Sequence, residues 1–246
     1  MTTRKLWAGL AALLAVSFAA LLWVGSEIHR QMPPLPAQVV TDNGDLVLTR
    51  DGIETGRQVW QSIGGHQLGS IWGHGSYVAP DWTADWLQRE ARAWLDLMAR
   101  ERGADGYDAL DAETQASLRA RLQARMRVNG YDAASDTLVI PAARAEAMAQ
   151  VRRHYTDLFG DEPALLDLRR GYAMKNGTVA DPEHREKLAA FVWWTAWSAV
   201  TPRPGQAITY TANWPYDPVV GNEPPPHLLM WTVFSVLFLI AGIALL

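Results

Sequence analysis

The 246-residue chain contains no cysteine. It therefore has no disulfide in an oxidising compartment, no thiol for covalent attachment of haem, and no sulfur ligand for a zinc knuckle. It also lacks an excess of positive charge, since 22 lysines and arginines stand against 26 aspartates and glutamates. That balance argues against a nucleic-acid or polybasic membrane-surface role. No phosphate-binding loop, nucleophile–base pair or HxxxH pair can be read in the chain. An independent hydrolase would need such a constellation. Internal repeats and low-complexity tracts are missing too.

Charge itself is missing from two stretches. Leu6 to Ser26 is a run of 21 uncharged residues, and Leu228 to Leu246 is another of 19. Each is long enough to cross a hydrocarbon core about 30 Å thick. The first run competes with a cleaved signal peptide, because Arg4 and Lys5 precede it and Ser17 to Ala20 offers small residues. It exceeds the usual signal length, and Trp7 and Trp23 sit near its ends where interfacial aromatics belong, so an uncleaved span is expected. Arg4 and Lys5 then place the amino terminus in the cytoplasm and residues 27–227 outside. That leaves about 200 residues to form a domain stabilised by packing alone. The second run reaches Leu246 with no anchoring charge behind it, which reads as a fragment or an early stop.

Between the runs the pattern is mainly helical. Met32-Pro33-Pro34-Leu35-Pro36 is a stiff exit from the membrane. A short strand is expected at Leu46 to Thr49 after the turn residues Asp42-Asn43-Gly44, and another at Thr137 to Ile140. Helices are expected at Ile53 to Ile63, Trp82 to Arg102, Asp111 to Val128, Ala142 to Phe159 and Asp181 to Val200, the last with Asp181 as N-cap and Pro182 in the first turn. An irregular approach through Thr201 to Gly205 and Asn213 to Pro218 leads to the second span.

The densest segment is Trp60 to Trp82, WQSIGGHQLGSIWGHGSYVAPDW, with five glycines, two histidines and three tryptophans in 23 residues. Such glycine density suits backbone pressed closely against a neighbour. A tight aromatic-packed loop accounts for it equally well. His66 and His74 could approach one metal, but a fuller ligand set would need His154 or His184 from distant helices. The 12 tryptophans divide into helically spaced core residues and, at Trp7, Trp23 and Trp231, interfacial anchors. Residue pattern alone yields a membrane-anchored, exported helical domain; a ligand- or partner-binding module without catalysis is one reading of it.

Three features together, Trp60 to Trp82, Asn213-Trp214-Pro215-Tyr216-Asp217-Pro218, and the span after Glu223-Pro224-Pro225-Pro226, resemble the amino-terminal region of quinol-dependent nitric oxide reductases. The order of parts agrees over essentially the whole chain. The resemblance implies a transmembrane anchor at 1–26, an extracytoplasmic helical domain with a haem-less cytochrome c-like core at 27–227, and the truncated first span of the catalytic membrane subunit at 228–246. Relatives with a haem have a CxxCH motif where this chain has Gly65-His66-Gln67-Leu68-Gly69, so Gly65 and Leu68 replace cysteines and Gly69 the axial histidine. The family's junctional calcium would take a backbone carbonyl from Gly75 and the Tyr77 side chain, with a carboxylate from outside this chain; alternatively, Tyr77 packs under its loop. The complete enzyme would sit in the bacterial inner membrane and reduce two NO to N2O and water with quinol electrons, at haem b, a high-spin haem and a non-haem iron. The ligands of those groups, and so catalytic residues, are expected outside this chain. Its partners would be the lipid bilayer, quinol, NO and the rest of the catalytic subunit, with a homodimer left open.

Overall fold

The computed structural model describes residues 3–245. Two helices in it are long and apolar enough to cross a membrane, α1 at Thr3–Gln31 and α8 at Pro226–Ala244. The unit Met1–Pro34 holds α1, which continues past the apolar run through Glu27 and Arg30, paired at 3.2 Å one turn apart. Residues 33–36 then leave regular structure, because successive prolines have no N–H to continue the helix.

The second unit, Leu35–Leu246, begins with strand β1 (Gln38–Thr41), which turns back into β2 (Leu46–Thr49). Gly44 takes the left-handed φ of 90° that this turn requires. β2 feeds directly into α2 (Arg50–Ser62), whose first turn is capped by Thr49 Oγ1 accepting the Gly52 N–H at 3.2 Å. The helix therefore starts three residues before the expected Ile53, because Thr49 supplies the N-cap. Further on lie β5 (Tyr131–Asp132) and β6 (Thr137–Ile140), which complete a sheet of order β2-β1-β6-β5. Both expected strands are present. The β1 strand and its parallel pairing with β6, Gln38 opposite Thr137 through Thr41 opposite Ile140, are additions to the sequence reading.

The remaining helices are α3 (Trp82–Arg100), α4 (Ala112–Met126), α5 (Ala142–Phe159), the short α6 (Leu166–Gly171) and α7 (Pro182–Val200). Asp81, Asp111 and Asp181 cap α3, α4 and α7. The expected ends at Arg102 and Val128 overrun by two residues each, into terminal turns that bond back to Ala99 and Arg125. α7 is central. From Leu188 to Val200 it is buried around nearly its whole circumference, and α2, α3 and α5 all pack on it. Its approach to α2 is so close at Gly56 that a Cβ there would lie 1.8 Å from the Lys187 carbonyl oxygen. The core on either side of α7 is tryptophan-rich: Trp60, Trp82, Trp86, Trp94, Trp193 and Trp197 are all fully buried.

The irregular segment that leads to α8 is pinned by amides, which do there what a sheet ladder does elsewhere. Fully buried Asn222 donates to the carbonyls of Ala199 (3.1 Å) and Pro215 (2.8 Å) and accepts the Asp217 N–H at 2.9 Å. Asn213 donates to Glu223 O at 2.7 Å, and Gln123 of α4 reaches Val219 O at 3.0 Å. The chain therefore enters α8 from a fixed direction relative to α4 and α7.

One helix carries a pH-sensitive group. His154 on α5 has a ring nitrogen, Nε2, that is buried without a partner. Burial, reinforced by the Arg89 charge, holds its pKa below the ordinary 6.5, with Asp85 and Asp157 opposing more weakly. The folded state thus prefers neutral His154, and its contribution to stability is present above the unfolded pKa and lost as pH falls through the lower folded value. Urea unfolding across that window should show stability falling toward acid, with a smaller fall in His154→Gln; identical pH profiles would refute the assignment.

Candidate functional site

The glycine-rich segment follows α2. Gly64 closes the helix in a left-handed conformation, φ 67°, and a 3-10 turn at Gly65–Gln67 leads to a small hairpin, β3 (Ser70–Ile71) and β4 (His74–Gly75). Ser70 lies opposite Gly75 and Ile71 opposite His74, around a two-residue turn in which Trp72 and Gly73 have φ of 53° and 79°. Two positive φ values in succession are what a tight hairpin of this hand demands.

Asp81 holds the hairpin to α3. Its Oδ1 accepts the Ala84 N–H at 3.0 Å as the N-cap, while Oδ2 accepts from the Ser70 hydroxyl at 2.7 Å and the Gly73 N–H at 2.6 Å. Thr83 adds a second tie by accepting the Trp72 N–H at 3.2 Å and bonding Thr195 of α7 at 3.0 Å. The Trp72 indole donates to Thr195 O at 3.0 Å and lies 5.7 Å from Trp194. Asp81→Ala removes a cap and two charge-assisted bonds together, and about 2–4 kcal/mol of stability should go with them. Asn retains an acceptor and should lose less. Chemical denaturation of the three proteins checks the order, and equal losses would mean that only the charge of Asp81 matters.

Gly65 and Gly69, the two glycines that the resemblance sets at haem-motif positions, are pressed against indoles. A Cβ on Gly65 would lie 2.1 Å from Cδ2 of Trp60, and one on Gly69, where φ is 149°, would lie 2.4 Å from Nε1 of Trp82. Trp60 and Trp82 are themselves edge to face at 6.4 Å, and Trp82 continues into Tyr155, Phe159 and Tyr172 at 5.3–6.0 Å. Aromatic side chains thus occupy the space beside the 65–69 turn. Tyr155 donates to Asp85 Oδ2 at 2.9 Å, and burial raises its pKa far above the ordinary 10.

His66 and His74 do sit in neighbouring turns, but each uses Nδ1 to donate to a carbonyl, His66 to His74 O at 3.3 Å and His74 to Trp72 O at 3.0 Å. Their structural role is to brace the hairpin. His154 lies on α5, and His184 lies beside Asp181 in the first turn of α7. Among the described residues no three or more His, Cys, Asp or Glu side chains converge on a metal position.

Gly75 and Tyr77 occupy the hairpin's open end. A Cβ on Gly75 would meet Gly69 O at 2.2 Å, so the position is closed to any other residue. Opposed pairs in an antiparallel ladder alternate between bonded and non-bonded. Ile71 and His74, flanking the turn, form the bonded pair, and the next bond runs from Ser76 N–H to Gly69 O at 3.0 Å. Gly75 falls between them, with its carbonyl directed away from the ladder. Tyr77 is 94 % exposed, so it does not pack under the loop.

Asp81 and Thr83 do not stand out as site residues in the sequence. The N-cap signal of Asp81 before Trp82 is readable there, whereas its second bond set, reaching back across the hairpin, is purely tertiary.

Among curated proteins none matches the chain. The family model for the cytochrome c-like domain of the nitric oxide reductase polypeptide NorB matches residues 36–216, the whole stretch from the proline exit through the hairpin and the tryptophan core to the pinned approach segment. With that match over most of its length, and a helical domain lying between two apolar helices, the chain belongs to the NorB cytochrome c-like domain family of the nitric oxide reductases.

Proposed function

We propose that the chain is the amino-terminal region of a quinol-dependent nitric oxide reductase of the fused form. In this reading residues 1–26 are an anchor whose amino terminus is cytoplasmic in a bacterial inner membrane. Residues 27–227 are an extracytoplasmic domain that caps and orients the catalytic membrane subunit, and 228–246 belong to that subunit's first span. The observation that carries it is the pair of close approaches at Gly65 and Gly69, within a domain of this family. The positions that a haem motif would give to a cysteine and an axial histidine lie against Trp60 and Trp82, with no room for either side chain. A domain built this way passes no electrons through a covalent haem, which favours membrane quinol as direct donor.

One quinol supplies the two electrons and two protons that convert two NO to N2O and water, leaving as quinone. Haem b, a high-spin haem and non-haem iron would supply the redox chemistry, held by other spans of the catalytic subunit. This chain's contribution is positional. The amides of Asn213, Asn222 and Gln123 fix the entry to α8, so the domain sets the height and direction of that helix.

Calcium, a hard cation that takes oxygen ligands, would lie at the hairpin's open end. The outward carbonyl of Gly75 and the exposed phenol of Tyr77 would be two neutral donors, and the charge-balancing carboxylate would come from the membrane subunit. Tyr77→Phe should weaken calcium retention by the assembled reductase and leave the unfolding of the domain unchanged, because the phenol contacts almost nothing within it. Unchanged metal content after dialysis against a chelator would remove Tyr77 from the site. For the reading as a whole, NO consumption by the assembled reductase should run with a reduced quinol analogue. Consumption that runs only with a reduced c-type cytochrome would sink the quinol assignment.

A further inference from the structure

The hairpin and the start of α8 enclose a cleft of about 740 Å³ that the functions above do not use. Its soluble-domain wall is Trp72, Gly73 and Trp214; its other wall is the first two turns of α8, with Leu228, Leu229 and Thr232, closed by the prolines that precede them. That size lies within the range of ligand pockets, about 300–1,000 Å³.

The lining is mainly apolar, and three of its side-chain polar atoms are already engaged. The Trp72 indole N–H is spent on Thr195 O (3.0 Å), the Thr232 hydroxyl on Leu228 O (3.0 Å), and His74 Nδ1 on Trp72 O (3.0 Å). Such a wall offers a polar ligand few partners. It is also rigid. Trp72 is locked by its bond and by Trp194, Gly73 by Asp81, and the prolines have a fixed φ. At Gly73 the backbone presses on the second tryptophan, where a Cβ would lie 2.4 Å from Trp214 Nε1. A preformed site orders little on binding, which favours a flexible apolar guest.

The position says which guest. Leu228, Leu229 and Thr232 lie in the first turns of a strongly apolar helix, none of whose residues is fully buried within the chain. Its surface is of the kind that hydrocarbon solvates, and the cleft is continuous with it. Trp214, 44 % exposed at the rim, matches the interfacial placement that tryptophan favours. From these observations we infer that the cleft is a binding site for a bilayer phospholipid, one acyl chain lying between the hairpin and the first turns of α8. The lipid joins the domain's underside to the span, and it does so independently of the redox chemistry proposed above, requiring only a bilayer around α8.

The test uses the assembled reductase in nanodiscs of phosphatidylcholine with a photoreactive diazirine in one acyl chain, with adducts mapped by mass spectrometry. Adducts are expected at Trp72 to His74 and at Trp214, as well as along the outer face of α8. Leu229→Trp, at a position already exposed in the chain, fills the cleft without disturbing the core and should cut the hairpin adducts about tenfold, the change that accompanies about 1.4 kcal/mol, while those at Phe238 persist. Adducts confined to α8 would overturn the inference. So would adducts that spare Trp72 to His74 and Trp214, the result expected if a second copy or another segment of the reductase covers the hairpin. NO consumption, measured alongside, separates failure here from failure of the reductase reading.

Discussion

Glu90→Ala is expected to destabilise the domain by about 3–5 kcal/mol, a large share of the roughly 5–15 kcal/mol that holds an ordinary domain together. Glu90 is completely buried in α3, and its Oε1 meets Arg144 Nε of α5 at 2.6 Å. Its Oε2 accepts the Trp86 indole N–H at 2.9 Å. Arg144 is equally buried, lies over the Trp193 ring at 6.0 Å, and has one further bond, to Met126 O at 3.4 Å. Removing the carboxylate leaves a guanidinium in the core with a ring and a carbonyl for company, and strands an indole N–H as well. Removing both charges is a different case. Glu90→Leu with Arg144→Met should recover most of the loss, because two well-packed apolar chains need no desolvation. The contrasting pair Arg92–Asp108 is exposed, and its loss should cost less than about 1 kcal/mol. Denaturant unfolding of the four proteins gives the comparison; a Glu90→Ala loss as small as that of Arg92→Ala would mean that water reaches the pair.

Restoring a haem motif should fail. In the triple variant Gly65→Cys, Leu68→Cys and Gly69→His, the first new Cβ arrives 2.1–2.2 Å from the Trp60 indole, and the third arrives 2.4 Å from Trp82 Nε1 and 2.6 Å from Pro80 O. Gly69 also sits at φ 149°, where a residue with a Cβ is strained. Overpacking costs about 1–3 kcal/mol per site, so the variant should lose more than about 3 kcal/mol and carry no covalent haem even when expressed with haem-attachment machinery. Gly65→Ala alone should show the steric part. Thermal unfolding and haem-stained gels read the two effects separately, and a variant that binds haem with unchanged unfolding would show that the indoles yield readily.

The elements are more legible in the sequence than their partners. Apolar spacing locates α2 to α5 because each buries one face, while α7, buried on nearly all sides, is marked by its long apolar run and by Asp181-Pro182 at its start. The start of α2 lies three residues earlier than apolar spacing suggests: Thr49 ends a strand and caps a helix at once, and the strand signal masks the cap. β1 is silent in the sequence because Gln38–Thr41 is short and its parallel partner lies 99 residues away, a pairing that no local pattern encodes. At the candidate site, glycine density correctly announces close approach at Gly65, Gly69 and Gly75. What each glycine approaches, Trp60, Trp82 and the Gly69 carbonyl, depends on tertiary packing. The histidines mislead in the opposite way, since their spacing suggests ligation while their rings serve backbone carbonyls.

Whether this domain carries electrons is read most directly from a haem and donor inventory of the assembled reductase, with the polypeptide denatured so that covalent and exchangeable haem separate. All haem is expected to extract as b-type, none to remain on this chain, and NO to be consumed with quinol as reductant. Haem that stays on this chain after denaturation, or NO consumption that depends on such a haem, would contradict that expectation.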